Sequence, residues 1–248
     1  MSNNKETTNQ KLILAIETAT RAGGVAIARG ETILAATAGE PSISHSTNLL
    51  EMIDAALRQA GVVLADVDIF AVASGPGSFT GLRIGLATAK AFGVHLQREL
   101  IGVSTLAAVA HASSLEGNIV ALLPAGRGEV FAQWFKVCEG MATPTPVDQP
   151  RHLTPRAVLE KYATVAALKF AGDGVSMLRN SLSESETSFL FASASTMLAP
   201  SIAVLGYRKY REGKAVGPEN LSAVYVRASD AEINERWQQQ KLLQQANQ

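Results

Sequence analysis

Residues 73–92 read ASGPGSFTGLRIGLATAKAF. An apolar run ends in Ser74, a turn built from Gly75, Pro76, Gly77 and Gly81 follows, and an Ala-rich helical pattern begins at Leu82. Glycine and proline between two periodic segments mark a strand, a tight turn and a helix. The turn is not a Walker A loop, since no Gly-Lys-Ser/Thr follows, and its third glycine falls one residue too late for GxGxxG. Two readings stay open. It is either a tight turn that needs positive φ or a loop that turns backbone N–H groups toward an anion.

Upstream, residues 12–16, 25–28 and 32–38 are short apolar runs separated by Gly23-Gly24 and Gly30-Glu31, the pattern of a three-strand meander. In residues 46–60, Leu49, Met52, Ile53, Ala56, Leu57 and Ala60 recur at helical spacing and Gly61 stops the run. Residues 68–74 read as a buried strand, 82–96 as a helix, 100–103 as a strand and 104 onward as a third helix. A meander followed by β-α-β-α units predicts a mixed sheet flanked by helices, one lobe of the ribonuclease-H-like, actin-like α/β class. In the second half, residues 118–124, 129–137, 169–172, 188–191 and 224–227 are expected as strands. Residues 156–162 and 196–211 are expected as helices, and the Pro- and Thr-rich residues 141–155 as loop. The expected organisation is a disordered tail over 1–10, an N-terminal lobe over 11–112, a C-terminal lobe over 113–229 and a Gln-rich tail over 230–248.

Lys plus Arg and Asp plus Glu each total 22, so the formal net charge is zero. That argues against nucleic-acid binding through overall charge and leaves a local basic patch open. The single cysteine, Cys138, fits a reducing compartment. The polar start MSNNKETTNQ has no apolar h-region, and no run reaches the roughly 18 apolar residues of a membrane span. A cytoplasmic protein without membrane attachment is expected.

Chemistry-bearing candidates are few. His45, His95, His111 and His152 show no metal-ligand spacing, and there is neither CxxC nor GxSxG. No catalytic and no metal-binding residue is therefore assigned. Glu17, at the end of the first run, with Thr18 is either a strand-end polar cluster or a place for Mg²⁺ and phosphate, together with Gly75, Gly77 and Ser78. Gly85, Ala89 and Gly93, four residues apart, form a stripe without bulk that either packs on the protein's own sheet or meets another chain.

The runs ILAIETATRAGGVAIARG, HSTNLLEMIDAALRQAG and SGPGSFTGLRIGLATAKAF, followed by LIGVSTLAA, closely resemble the TsaB (YeaZ) family over residues 12–110, and more weakly beyond. The resemblance implies an actin-like fold of two lobes. It implies a scaffold or activating subunit that works with TsaD as main partner and with TsaE. Together these transfer a threonylcarbamoyl group to the adenosine beside the anticodon of tRNAs reading codons that begin with A. The chain alone would form a homodimer and meet tRNA through the complex. The expected partner surface comprises His45, Leu49, Met52, Ile53 and Ala56 on the first helix and Leu82, Gly85, Ala89 and Phe92 on the second. No cofactor is required, and a weak ATP or ADP site with Mg²⁺ is expected at the partner interface. TsaD, a paralogue, carries a metal-binding HxxxH motif in its third helix, where Thr105 and Val109 stand in this chain. Family members usually have Asp in place of Glu17, and often an Asp-Ala-Arg-like segment in place of residues 124–127. The rival is a stand-alone ATPase or small-molecule kinase of the same fold. A peptidase lacks any visible nucleophile–base pair.

Overall fold

The computed structural model describes residues 10–40, 42, 45–138, 143–182, 190–192 and 197–227. Both tails, 1–9 and 228–248, lie outside the described residues.

Strands β1 (Leu12–Glu17), β2 (Gly24–Arg29) and β3 (Thr32–Ala38) form the meander. Their ladders are antiparallel. β4 (Ile69–Gly75) and β5 (Glu99–Ser104) add in parallel, giving the order β3-β2-β1-β4-β5. β1 and β4 are buried along their whole lengths, as strands covered on both faces must be. Helices α1 (His45–Ala60) and α2 (Phe79–Leu96) cover one face. Leu14, Ile16, Val25, Val72, Ile53 and Leu86 pack together there.

β6 (Gly117–Gly126) starts the second sheet and pairs antiparallel with β7 (Glu129–Val137) and parallel with β10 (Leu168–Ala171). β11 (Leu190–Ala192) extends it beside β10. The Pro- and Thr-rich segment expected as loop supplies two short strands, β8 (Thr145–Pro146) and β9 (Arg151–Leu153), both on β7. Proline is tolerated there because an edge strand needs only part of its donors. Helices α4 (Pro155–Tyr162) and α5 (Val175–Arg179) cover one face, with Val158, Leu159, Phe170 and Leu178 at its core. Both sheets are thus mixed and flanked by helices, the actin-like α/β arrangement.

Two further expectations are corrected. Residues 224–227 form no strand; they run irregularly across the first lobe, with Val224 N donating to Ser74 O at 2.7 Å. Helix α6 (Ala199–Arg211), assigned above to the C-terminal lobe, packs on β1, β2, β4 and β5 of the first sheet. The reason is steric fit: Gly206 sits so close to Ala71 that an added Cβ would lie 2.6 Å from the alanine methyl. The chain leaves the first lobe after α3 (Thr105–Ala112) and returns to it through α6. Together α3 and α6 fill one continuous core that touches both sheets, through Leu106, Val109, Ile202 and Leu205.

Polar ties reinforce this layer. Arg208 of α6 donates to both carboxylate oxygens of Glu31, at 2.9 and 2.6 Å, and to Thr143 Oγ1 at 3.0 Å. His111 Nδ1 lies 2.9 Å from Ser201 Oγ, joining α3 to α6. Burial and the nearby Arg208 cation hold the His111 pKa below its ordinary 6.5, while Glu31 opposes them. The unfolded chain therefore takes up this proton first, and stability falls as pH drops from 6.5 toward the folded-state value. Denaturant midpoints taken from about pH 7.5 down to about pH 5.5 should fall for the wild type and fall less for His111→Asn.

Candidate functional site

The turn after β1 and the turn after β4 meet in a cleft between the lobes. Its volume is about 740 Å³. Thr20, Arg21, Gly77 and Phe79 line it from the first lobe. Gly126 and Asp173 line it from the second, and Tyr225 and Arg227 from the returning segment.

Glu17 is fully buried. Its Oε1 accepts from Ala19 N at 2.6 Å and Thr20 N at 2.8 Å, and its Oε2 accepts from Thr20 Oγ1 at 2.6 Å. The carboxylate staples the chain as it leaves β1. Thr18, also buried, donates from Oγ1 to Gly81 O at 2.7 Å and ties that turn to α2. Ser78 caps α2 by accepting from Gly81 N, and its own N–H donates to Ala19 O. Gly75 has φ +114°, and the Val224 carbonyl lies where a Cβ would be. Gly77 is packed against Ala19 in the same way.

These residues do not fit a nucleotide with Mg²⁺. The Glu17 oxygens are turned to backbone and hydroxyl donors inside the protein, and the glycine turn is packed against Ala19 and Val224 rather than opened as a cradle. The tight-turn reading is the one the geometry supports. Across the cleft, burial raises the Asp173 pKa.

The stripe Gly85–Ala89–Gly93 faces the protein's own sheet. A Cβ on Gly85 would collide with Thr18 Oγ1, and one on Gly93 with Leu100. Leu49, Met52, Ile53, Ala56, Leu82 and Ala89 are likewise buried. Their expected place at the centre of a partner surface is corrected, because these side chains are already spent on the first lobe's core. Phe92 is half-buried, its ring centroid 5.7 Å from that of Phe70. His45 opens α1, and its side chain lies outside the described residues. The outward face of α2 is instead Arg83, Ala87, Ala91 and Val94. Leu50 on α1 and Val94 are 63% and 68% exposed. In sequence, Ala87 and Ala91 stand beside the Gly85–Ala89–Gly93 stripe, and nothing in the pattern says which set faces outward. They lie two residues from Gly85 and Ala89, about 200° around a helix.

Thr105 and Val109 are both buried in α3. Among the described residues, no three His, Cys, Asp or Glu side chains gather in a way that could hold a metal ion. No helix among them is long and apolar enough to cross a membrane.

The fold and cleft define a two-lobed protein of the actin-like class with its phosphate-type turns packed on its own chain. Residues 39–234 match the family model described as TsaD, tRNA N6-adenosine threonylcarbamoyltransferase. The tRNA threonylcarbamoyladenosine biosynthesis protein TsaB of Bacillus subtilis is 27% identical over 89% of this chain and 96% of its own length. TsaB of Escherichia coli is 36% identical over 48% of this chain and 52% of its own length. An uncharacterized protein of Mycobacterium tuberculosis is 35% identical over 54% of this chain, the match spanning 63% of its own length. YeaZ from Pseudomonas aeruginosa superposes with a TM-score of 0.74 at 27% identity, covering 87% of this chain and 99% of that one. The chain belongs to the threonylcarbamoyltransferase family and is similar to proteins named TsaB and YeaZ.

Removing the Glu17 carboxylate strands three buried or half-buried donors at once. Glu17→Ala should destabilise the fold by about 2–4 kcal/mol, read from denaturant midpoints, through unsatisfied donors alone.

Proposed function

We propose that this chain is the non-catalytic, activating subunit of a complex with TsaD and TsaE. That complex transfers a threonylcarbamoyl group to the adenosine next to the anticodon of tRNAs reading codons that begin with A. The observation that carries the non-catalytic role is α3. Where the catalytic paralogue is expected to hold its metal with two histidines, this chain has Thr105 and Val109, turned into its own core. Neither can serve as an imidazole ligand. The likeness to TsaB of Bacillus subtilis along almost its whole length supports the assignment to the pathway.

The partner surface is the outer face of α1 and α2. Ala87 and Ala91 let another helix approach closely, and Leu50 and Val94 supply apolar area that water would otherwise cover. The same face serves TsaD and a second copy of this chain, so the two compete. The chain acts in the cytoplasm and meets tRNA as part of the complex.

Substitutions on this face separate association from folding, which Gly85 variants cannot do. Ala91→Arg and Val94→Asp should abolish co-elution with TsaD and lower tRNA modification in a reconstituted reaction at least about tenfold, equivalent to about 1.4 kcal/mol of binding. Their melting temperatures should stay close to the wild type. Normal co-elution of both variants would sink the assignment of this face.

The rival, a stand-alone ATPase or kinase, needs an open phosphate cradle and a carboxylate able to reach an ion. Calorimetry of the chain alone with ATP and Mg²⁺ should show no binding heat and no turnover. Tight binding with turnover would restore the rival.

A further inference from the structure

Residues 221–227 belong to no strand yet are fastened at several points. Val224 N donates to Ser74 O, and Arg227 Nη1 donates across the cleft to Ala125 O at 2.6 Å. Between them the Tyr225 ring lies 4.9 Å from the Phe79 ring, tilted by 37°. The Arg83 guanidinium stands 3.9 Å from the Phe79 centroid, and its Nε donates to Tyr225 Oη at 3.4 Å. Two rings and a guanidinium therefore form one preassembled cluster at the cleft mouth, joining α2 to the returning segment.

Tyr225 stays 46% exposed in spite of these contacts, and Val224 beside it 49%. A large ring tilted against Phe79 and held at its hydroxyl by Arg83, with nearly half its surface open, can serve as a stacking platform. Its electrostatic setting is cationic. Arg21 and Arg227 line the cleft, Arg83 contacts Phe79 and Tyr225 of its lining, and Asp173 is the one carboxylate among the lining residues. In a chain with zero net charge, this is the kind of local basic concentration that overall composition hides.

These features select a flat π-system attached to negative charge. They do not select a duplex, whose base faces are already stacked, since aromatic and arginine platforms take unpaired bases. They disfavour a nucleoside triphosphate inserted deeply, because Asp173 occupies the far wall and the Val224 carbonyl covers Gly75. We infer that Tyr225, braced by Phe79 and Arg83, stacks an unpaired nucleotide of an RNA loop, with Arg21 and Arg227 placed for its phosphates. The choice of RNA as the source of that nucleotide rests on the tRNA-modification reading above.

The test is fluorescence anisotropy with the full-length chain and a dye-labelled, unstructured oligoribonucleotide, with a duplex of the same length as comparison. Wild type should prefer the single strand. Tyr225→Ala should weaken binding by about 5- to 150-fold, the range for removing a base–aromatic stack. Tyr225→Phe should stay within about twofold, because the ring remains. Arg21→Gln should weaken binding and reduce the slope of log affinity against log salt by about 0.7. If Tyr225→Ala proves too unstable, ultraviolet cross-linking of wild type to a 4-thiouridine oligonucleotide should map to the peptide carrying Tyr225 or Phe79. Absence of single-strand binding by wild type, equal affinity of Tyr225→Ala and wild type, or displacement of the oligonucleotide by AMP as effectively as by unlabelled RNA would each overturn the platform. The outcomes remain distinct from those for the functional reading. Modification that depends on the chain but ignores Tyr225→Ala sinks the platform alone, whereas Tyr225-dependent RNA binding with chain-independent modification sinks the subunit assignment alone.

Discussion

The close seating of α2 on the end of β1 is the contact on which the rest of the first lobe depends. Thr18 Oγ1 donates to the Gly81 carbonyl at 2.7 Å, and Gly85 lies over the same threonine with no room for a side chain. A helix reaches a strand this closely only where its own surface is bare. Glycine inside a helix costs roughly 1 kcal/mol relative to alanine, and here that cost is offset by the buried hydrogen bond and the packing it permits. Once α2 is seated, the turn after β4 is pressed against Ala19, Glu17 must satisfy the donors of the facing turn, and Ala87 and Ala91 are rotated outward.

The second organising element is the shared layer of α3 and α6. Because α6 returns to the first sheet, the two lobes are two sheets joined through one core rather than two consecutive stretches of chain. Arg208, bonded to Glu31 in one lobe and Thr143 near the other, and Arg227, bonded to Ala125, tie the two lobes together. The cleft keeps the architecture of an actin-like interlobe site, while its turns are occupied by the chain's own backbone. That combination fits the subunit role proposed above, in which the chain contributes surfaces.

Much of the first lobe was legible before any coordinates. The strand meander, the two long helices and the glycine turn all follow from periodicity and punctuation, because β1, β4 and α2 carry patterns set by local geometry. The second lobe was less readable for a physical reason. β8 and β9 are two and three residues long and run beside prolines, so they lack the length over which alternation can be seen. Residues 224–227 look like a strand by composition, yet they join no sheet ladder; Val224 N bonds Ser74 O while the rest of the segment runs irregularly. The aromatic–arginine cluster was invisible because Arg83 and Tyr225 lie 142 residues apart.

The sequence by itself determined the fold class, through periodicity at fixed local spacing, and its resemblance to a known family marked positions 105 and 109, where Thr105 and Val109 stand in place of the paralogue's histidines. Only the tertiary structure decided which stripe of α2 faces inward. Two sets of small residues about 200° apart are equivalent until a sheet is placed against one of them. It likewise decided that α6 belongs with the first sheet, and that Glu17 is a buried staple rather than an ion ligand. A carboxylate at a strand end has the same sequence signature in both roles, and its hydrogen-bond partners settle which one it fills.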